Sequence, residues 1–527
     1  MRFAGHRVRR LRSRALIDLL LGVDVGTSSS KALLVTPDGG VVARAACGHR
    51  TSMPRPGWFE HDAELVWWAD FARLCAQLLP QAGDRVAGVG VSGIGPCLLP
   101  ADEDLRPLRP AILYGVDTRA TREIEELAQQ YGETAILERC GSPLSSQAVG
   151  PKLAWLRRHE PDIWRRTRRF LMANSYIVSR LTGEYVLDHH SASQAVPLYD
   201  LRRGGWNREW AAEIAPGVEL PRLAWPAEVV GRVTPAAAAE TGLPAGTPVV
   251  AGTIDAWAEA LSVGVTAPGD VMLMYGTTMF IVEGAGRPLA DPRLWSTCGV
   301  FPGSFTTAAG MATSGALTAW FRGLTGDLSF ENLLAEAAAT PAGADGLVVL
   351  PYFAGERTPL FDPRARGAVL GLTLSHGRGH LYRALLEGTA YGVRHNLETI
   401  AEASSSAPAR VVAVGGGTQG GLWTQIVSDV TGQAQELPRE LAGAGYGDAL
   451  LAALGAGLAG PDARWNKPAG RVEPNPAHAE RYGVLYGVYR DLYRHTREEA
   501  HLLADLQSTP APIPPDRVPR PDTLAPR

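Results

Sequence analysis

The chain has 527 residues, which favours two to four domains over a single one. Hydrophobic residues make up 45% of the sequence and charged residues 20%, a composition typical of a globular protein with a sizeable core. The 51 Lys and Arg residues nearly balance the 54 Asp and Glu residues, giving a formal charge of -3. This balance argues against a protein that neutralises nucleic-acid phosphates, and no nucleic-acid partner is expected.

The two ends of the chain differ from the rest. Residues 1–14 are basic and lead into an apolar segment, as in a signal peptide. Asp18 and Asp24 interrupt that segment and no small-residue cleavage site follows, so we interpret residues 1–18 as a disordered arm and expect a cytoplasmic protein. Residues 506–527 are rich in proline, which predicts a disordered tail. No apolar stretch reaches the length of a membrane-spanning helix, so no membrane partner is expected.

The five cysteines predict buried thiols rather than a metal site or disulfides. Cys47, Cys75, Cys97, Cys140 and Cys298 lie far apart and form no Cys-x-x-Cys pair. This spacing argues against a zinc site and fits a reducing compartment.

Between the ends we predict two α/β blocks, residues 19–264 and 265–505. The first block begins with a strand, a hairpin and a further strand. Its predicted elements are strands at 19–25, 31–35 and 41–47, a helix near 63–79 and a buried strand at 86–92.

The second block repeats this order of elements. Its predicted strands are 270–275, 280–283, 304–309 and 410–414, and its predicted helices are 316–324, 330–339, 380–404 and one that begins near Leu422. In each block the first strand ends in a Gly-Thr turn, which suggests an ancient duplication with a cleft between the halves.

The first turn has the composition of a phosphate site. Residues 24–31 read Asp-Val-Gly-Thr-Ser-Ser-Ser-Lys. The glycine allows close approach of a phosphate, the hydroxyls and amides donate hydrogen bonds, and the lysine supplies positive charge. Asp24 could hold a hydrated Mg²⁺, which needs only one or two carboxylates. A plain polar hairpin is the alternative. The candidate phosphate-binding residues of this turn are Gly26, Thr27, Ser28, Ser29 and Lys31.

Two further glycine turns occur in the second block. Gly276, Thr277 and Thr278 form the counterpart of the first turn, so that the two could hold one polyphosphate from both sides. Residues 415–418 read Gly-Gly-Gly-Thr before a helix, where a flat ring or a phosphate could lie close to the backbone. A plain strand-to-helix turn is the alternative. The spacing fits neither a Rossmann fingerprint nor a P-loop.

Asp255 follows an apolar strand at the predicted start of a small-residue helix. Its structural role would be an N-cap worth about 1 kcal/mol. Its functional role would be a general base that accepts a proton from a substrate hydroxyl.

Together these motifs resemble the FGGY carbohydrate kinases, members of the superfamily of sugar kinases, actin and heat-shock chaperones. The resemblance covers residues 19–503. It extends to the stretches 56–62, 112–119, 152–156, 367–372 and 380–387, of which the last two match the family signature closely. The match is looser upstream of Lys152, at Gln147 and Val149.

The resemblance implies an α/β fold of two RNase H-like domains, of the actin and hexokinase type, around a central cleft. It implies an ATP- and Mg²⁺-dependent kinase in which Asp255 is the base and Asp24 helps to hold the metal. Residues 19–264 would bind the sugar and residues 265–505 the nucleotide. Gly416, Gly417 and Thr418 resemble the adenosine-binding turn, with Gly421 and Gln425 at its rim.

The expected partner is a small sugar, with a homodimer left open. The spacing of the motifs along the chain resembles that of the xylulose kinases most. As the substrate, D-xylulose or a related pentulose is therefore favoured over ribulose, gluconate, erythritol or glycerol. The xylulose-kinase Gly-Gln-Met-His-Gly stretch is replaced here by Gly-Ile-Gly-Pro-Cys, and the glycerol-kinase Arg-Glu pair is also missing. A sensor without catalysis on the same scaffold is the rival function. The candidate sugar contacts are Trp58, Gly95, Pro96, Asp117, Arg119 and Trp257, with a structural ion pair as the alternative for Asp117 and Arg119.

Overall fold

The apolar run near the start of the chain forms the central strand of a mixed sheet. In the computed structural model, which describes residues 18–508, residues 19–23 are all buried because the strand is covered on both faces. The strands of the first half are β1 (Leu19–Val25), β2 (Ser29–Val35), β3 (Val41–Gly48), β4 (Glu60–His61), β5 (Val86–Gly93), β6 (Leu99–Ala101), β7 (Ala111–Ile112), β8 (Arg169–Leu171), β9 (Val186–Asp188), β10 (Tyr199–Asp200), β11 (Gly205–Trp206), β12 (Arg222–Ala224), β13 (Val229–Arg232), β14 (Pro248–Val250) and β15 (Thr253–Ile254).

The helices of the first half cover this sheet and build a helical layer beside it. They are α1 (Ala69–Ala82), α2 (Thr121–Tyr131), α3 (Glu133–Cys140), α4 (Val149–His159), α5 (Pro161–Arg166), α6 (Ala173–Thr182), α7 (His189–Ser193), α8 (Arg208–Ile214), α9 (Pro235–Thr241) and α10 (Asp255–Ser262). The helix predicted over residues 63–79 is divided, because a π-helical turn at Ala63–Trp68 precedes α1.

The second half contains the second large sheet and the longest helices. Its strands are β16 (Asp270–Tyr275), β17 (Met279–Ala285), β18 (Trp295–Cys298), β19 (Phe305–Met311), β20 (Val348–Leu350), β21 (Ala368–Leu370), β22 (Arg410–Val414), β23 (Gln435–Pro438) and β24 (Pro468–Val472). Its helices are α11 (Gly315–Leu324), α12 (Phe330–Ala338), α13 (Arg378–Ser404), α14 (Leu422–Thr431), α15 (Ala444–Gly455) and α16 (Ala479–Ser508).

The two large sheets share one topology. The first has the order β13-β14-β5-β1-β2-β3, with β15 also on β5, and the second has the order β18-β19-β17-β16-β22-β23-β24. In each, three antiparallel strands (β3-β2-β1 and β19-β17-β16) continue into parallel strands (β5-β14 and β22-β23). The repeat that the sequence predicted is therefore present in the strand order.

Helix α15 joins the halves by packing across β1, β5 and α10. Glycines make this close approach possible. A Cβ atom at Gly22 would lie 1.9 Å from the Gly445 carbonyl oxygen, and one at Gly447 would lie 1.8 Å from the Ala258 carbonyl oxygen. An apolar cluster beside α10 contains residues of both halves, including Ile254, Val282 and Leu451. The helix that begins at Asp255 is thus held between the two sheets.

The five cysteines are buried free thiols, as predicted. Among the helices of residues 18–508, none has the length and apolar character needed to cross a membrane. Helix α16 continues to Ser508, and the remainder of the predicted tail, residues 509–527, lies outside the described residues. Residues 1–17 of the predicted arm also lie outside them.

Candidate active site

Parallel pairing brings the glycine turns of each half to one sheet edge. In the first half Val25 of β1 pairs with Gly93 of β5, so the turn after β1 adjoins Gly95 and Pro96. In the second half Met274 of β16 pairs with Val414 of β22, so the turn after β16 adjoins the glycine run after β22. The carboxyl ends of parallel strands meet at one edge, which is where open α/β sheets bind ligands.

The two edges contribute to one cavity of about 490 Å³ between the halves. Eight predicted site residues line it: Asp24, Thr27, Ser28, Gly95, Asp255, Trp257, Thr277 and Thr278. The chain therefore brings together the predicted base, the predicted metal ligand and parts of both Gly-Thr turns.

Asp255 is the first residue of α10 and not its cap. The preceding residue, Ile254, occupies the N-cap position, and no side chain caps this helix. Asp255 Oδ1 accepts a hydrogen bond only from the next amide, Ala256, at 2.7 Å. The capping role considered for Asp255 does not describe this geometry, and the carboxylate faces the cavity.

The carboxylates around the cavity repel one another and are poorly solvated. Burial, together with the nearby charge of Asp24, raises the pKa of Asp255 to about 8. Burial likewise raises the pKa of Asp24 to about 6, although the Lys31 ammonium partly opposes this. Glu259 lies one helical turn after Asp255, and burial raises its pKa to about 7. A positive charge bound nearby would favour the charged forms of these carboxylates.

Asp24 fits the role of a metal ligand. Its Oδ1 is shielded from solvent and has no hydrogen-bond partner within residues 18–508. The described residues contain no group of three or more His, Cys, Asp or Glu side chains that could hold a metal by themselves. A Mg²⁺ ion here would need phosphate oxygens and waters for most of its coordination sphere, which is how it binds in nucleotide sites.

The first Gly-Thr turn is fixed from behind by buried polar groups. The Gly26 amide donates to the Ser29 carbonyl at 3.1 Å. His49 bridges the Gly26 carbonyl, at 3.1 Å, and Asp70, at 2.7 Å. Asp70 also accepts a hydrogen bond from Ser30 Oγ at 2.8 Å. Lys31 is exposed beside this turn, where its charge acts on Asp24.

The second Gly-Thr turn is tied to the start of α11. The Gly276 amide donates to the Thr278 carbonyl at 3.1 Å. The Gly276 carbonyl accepts from the Gly315 amide at 3.0 Å, and the Thr277 carbonyl accepts from the Ser314 amide at 3.1 Å. These bonds leave the Thr277 and Thr278 side chains directed to the cavity lining.

The predicted adenosine turn lies outside the lining of this cavity. Residues Gly416–Thr418 form a 3₁₀ turn, and α14 begins four residues later, at Leu422 as predicted. Open space surrounds Gly416 and Gly421, whereas Gly417 packs against Tyr275 and Trp423. The Gln425 amide is engaged by Asp429 Oδ1 at 2.7 Å and by the Glu473 carbonyl at 2.8 Å.

The predicted sugar contacts divide into two groups. Gly95 and Trp257 line the cavity, and Trp257 Nε1 donates to Thr306 Oγ1 at 2.8 Å. Pro96, Trp58, Asp117 and Arg119 are not part of the lining.

Arg119 and Asp117 form the ion pair that was the alternative interpretation. The Arg119 side chain is 0% exposed, and its guanidinium bonds Asp117 Oδ2 and Glu60 Oε1, both at 2.7 Å. It lies over the Trp58 ring, 4.2 Å from its centroid. This network supports the segment that leads to Tyr114.

Several cavity residues were not singled out from the sequence. Tyr114 Oη hydrogen-bonds Thr27 Oγ1 at 2.9 Å and lies in the stretch 112–119. Glu259 could have been found from its i+4 spacing to Asp255. Three further polar side chains of the lining, Gln147, Gln194 and Arg357, come from loops that carry no periodic signal.

Comparison with known proteins identifies the family. The FGGY family of carbohydrate kinases matches this chain with its N-terminal domain over residues 19–262 and its C-terminal domain over residues 271–456. The chain belongs to this family, and its fold is the two-domain fold of the actin and hexokinase type, as its motifs predicted.

The relatives share nearly the whole fold. A xylulose kinase from Escherichia coli (strain K12) is 32% identical over 425 residues, covering 79% of this chain and 85% of that protein. The crystal structure of xylulose kinase from Rhodospirillum rubrum shows 36% identity and a TM-score of 0.84, and covers 92% of this chain and 100% of that chain. A gluconokinase from Bacillus subtilis (strain 168) is 26% identical over 505 residues, covering 93% of this chain and 98% of that protein.

Proposed function

We propose that this protein transfers the γ-phosphoryl group of ATP to a hydroxyl of a small sugar, with D-xylulose or a related pentulose as the favoured acceptor. The observation that carries this proposal is the cleft that joins Asp255, Asp24 and both Gly-Thr turns in one cavity. Membership of the FGGY family supports the reaction class, and the xylulose kinases among its relatives support the sugar.

Asp255 acts as the general base in this proposal. Because no cap or ion pair occupies its carboxylate, an oxygen is available to accept the proton of the attacking hydroxyl. The hydroxyl oxygen forms a bond to the γ-phosphorus, the bond to the β,γ-bridging oxygen breaks, and ADP leaves with that electron pair. A pKa of about 8 keeps the carboxylate basic enough to take the proton near neutral pH.

The two Gly-Thr turns hold the phosphates. Thr27 and Ser28 of the first turn and Thr277 and Thr278 of the second line the cavity and would contact the phosphates. Gly26, Ser29 and Gly276 close the two turns, and Lys31 supplies charge beside the first. Asp24 would hold Mg²⁺, which when bound offsets the phosphate charge next to the acidic cluster. The buried contacts of His49 and Asp70 keep the first turn in place, so little reorganisation is needed when ATP binds.

The division of labour follows the two halves. Residues 19–264 bind the sugar and carry the base, and residues 265–505 bind the nucleotide. Gly416, Gly417 and Thr418 accept the adenosine, with Gly421 and Gln425 at the rim of that site. This assignment is supported by the open backbone at Gly416 and Gly421, where a flat ring could lie.

A panel assay tests the proposed function. Purified full-length protein is given ATP, Mg²⁺ and one of D-xylulose, D-ribulose, gluconate, erythritol or glycerol, and ADP release is followed with a coupled enzyme. We expect ADP release to depend on the sugar and kcat/KM to be highest for a pentulose. Highest kcat/KM for gluconate would instead favour the aldonate alternative, which the gluconokinase relative supports. ADP release that no member of the panel stimulates would refute the proposed function.

A further inference from the structure

An arginine from the second half lies in the cleft. Among the described residues that line the cavity, Arg357 is the only one with a basic side chain. Within residues 18–508, its guanidinium forms no ion pair and donates no hydrogen bond. Arg119 of the first half, by contrast, is used by the fold in ion pairs with Asp117 and Glu60. An arginine stays charged at physiological pH, so an unpaired one in a cavity is suited to bind a ligand.

The backbone on both sides of Arg357 is fixed. Glu356 Oε1 accepts hydrogen bonds from the Ala312 amide at 2.8 Å and from the Arg357 amide at 2.7 Å. Thr358 Oγ1 donates to Asn396 Oδ1 at 2.7 Å and accepts from the Gly310 amide at 2.6 Å. The loop is thereby tied to β19 and α13 while the guanidinium is left free. A fixed backbone with a free head group is the arrangement of a preorganised binding residue.

Arg357 and Tyr114 line the same cavity from different halves of the chain, and the Arg357 charge acts on Tyr114 as well as on the adjacent Glu356. Burial raises the pKa of the Tyr114 hydroxyl, and the Arg357 guanidinium is one of the groups that partly oppose this rise. For Asp24 and Glu259 the opposing cation is Lys31. Lys31 lies beside the first Gly-Thr turn and outside the lining, whereas Arg357 lines the cavity together with Tyr114 of the first half.

We propose that Arg357 is a sugar-binding residue supplied by the second half, and that its guanidinium donates hydrogen bonds to oxygen atoms of the sugar seated between Tyr114 and Asp255. This inference rests on the proposed function. The planar fork of an arginine suits two neighbouring oxygens, such as a vicinal diol or a hydroxy-ketone. It also explains why the cavity can recognise a sugar although Gly95 and Pro96 provide no polar side chains.

The proposal has a consequence for domain closure. Asp255 and Tyr114 belong to the first half and Arg357 to the second, so a bound sugar would contact both halves of the chain. Sugar binding would then favour the closed cleft, in which phosphoryl transfer is shielded from water.

The test compares sugar and nucleotide affinity in Arg357 variants. Arg357→Gln and Arg357→Lys are prepared with the wild-type protein and with Arg202→Gln, which removes the same charge from an exposed position outside the cavity. Calorimetry measures the Kd of D-xylulose and of ADP, steady-state assays give kcat and the KM for D-xylulose, and thermal melting reports folding. Arg357 has no ion pair to lose, so its variants are expected to fold.

For Arg357→Gln we expect the Kd and KM for D-xylulose to rise about 10- to 100-fold, the effect of losing a charged hydrogen-bond donor, with ADP affinity within about twofold of wild type. Arg357→Lys should lie between, because it keeps the charge and loses the fork. If Arg357→Gln binds D-xylulose as tightly as wild type, the inference is overturned, whether its kcat is normal or reduced. The proposed function would still hold in that case, provided that the wild-type protein turns over. A wild-type protein that phosphorylates no sugar would overturn both.

Discussion

Replacing Asp255 by asparagine distinguishes a catalytic base from a carboxylate that stabilises the fold. If Asp255 is the base in an unfavourable buried position, the variant should be more stable than wild type; if Asp255 stabilises the fold, the variant should be less stable. The wild-type carboxyl has its pKa raised to about 8 by burial and by Asp24. The folded state therefore binds the Asp255 proton more tightly than the unfolded state does, where the pKa is about 4. As pH rises from about 4 towards 8, the ionisation of Asp255 lowers the free energy of unfolding by a growing amount. At pH 7 the upper bound of this loss is about 4 kcal/mol.

Solvent near the cavity screens part of that loss, and we expect Asp255→Asn to stabilise the protein by about 1–2 kcal/mol. Its melting temperature should rise by about 1–4 °C. Turnover should fall by roughly 10²-fold or more, because the amide cannot accept the proton. As a control, Asp62→Ala removes a side chain that caps the Glu64 and Leu65 amides, and it should cost about 1 kcal/mol while turnover is retained.

The assay measures sugar-dependent ADP release and the thermal midpoint on one preparation of each variant. Turnover of Asp255→Asn within about threefold of wild type would refute the role of Asp255 as base. A lowered midpoint would refute the electrostatic account of the cavity, because it would mean that the carboxylate stabilises the fold.

Four further outcomes are expected. Asp24→Ala should lose most of the turnover while its circular dichroism stays normal, because its Oδ1 bonds nothing in the fold; near-normal turnover would exclude it as the metal ligand. The kcat/KM for the sugar should rise with pH through an apparent pKa near 8, the value for Asp255. Because the Glu259 charge raises the Asp255 pKa, Glu259→Gln should shift this rise to lower pH, and an unshifted pH profile would contradict this. X-ray scattering should show a smaller radius of gyration with sugar and ADP together than without them; an unchanged value would count against closure. Gly447→Ala should destabilise the protein strongly, because its Cβ would lie 1.8 Å from the Ala258 carbonyl oxygen. The control Gly487→Ala should not, because no atom lies near its Cβ position, and equal melting temperatures of the two variants would contradict the packing of α15.

The strands and long helices could be predicted because their signals are local. The continuous apolar run of β1 and the periodic pattern of α13 are visible in the sequence, as is the start of α14 at Leu422. The division of the helix near residue 63 was missed, since a π-helical turn leaves the apolar pattern almost unchanged. The packing of α15 against β1 was also missed. A glycine in the sequence can indicate that its backbone is approached closely by another segment, but it does not identify that segment.

The candidate site was predicted only in part, for a similar reason. Asp24 lies near the end of β1, and Asp255 and the Gly-Thr turns follow strands, so local sequence places them at a sheet edge. Tyr114 and Arg357 reach the cavity through loops whose course depends on contacts distant in sequence, such as Thr358 with Asn396. Asp117 and Arg119 have the residue types of a sugar site, yet burial beneath Trp58 and beside Glu60 places them in the fold. Composition and spacing do not distinguish a charged side chain that faces a cavity from one that forms a buried ion pair outside it.

The central claim is that this cleft moves the γ-phosphoryl group of ATP onto a sugar hydroxyl, and following that group tests it most directly. The wild-type protein is incubated with γ-³²P-labelled ATP, Mg²⁺ and D-xylulose, and the products are separated and counted. The account predicts that the label appears in a sugar phosphate in a one-to-one ratio with ADP. Label that appears only in inorganic phosphate, or that stays in ATP with every sugar of the panel, would contradict it.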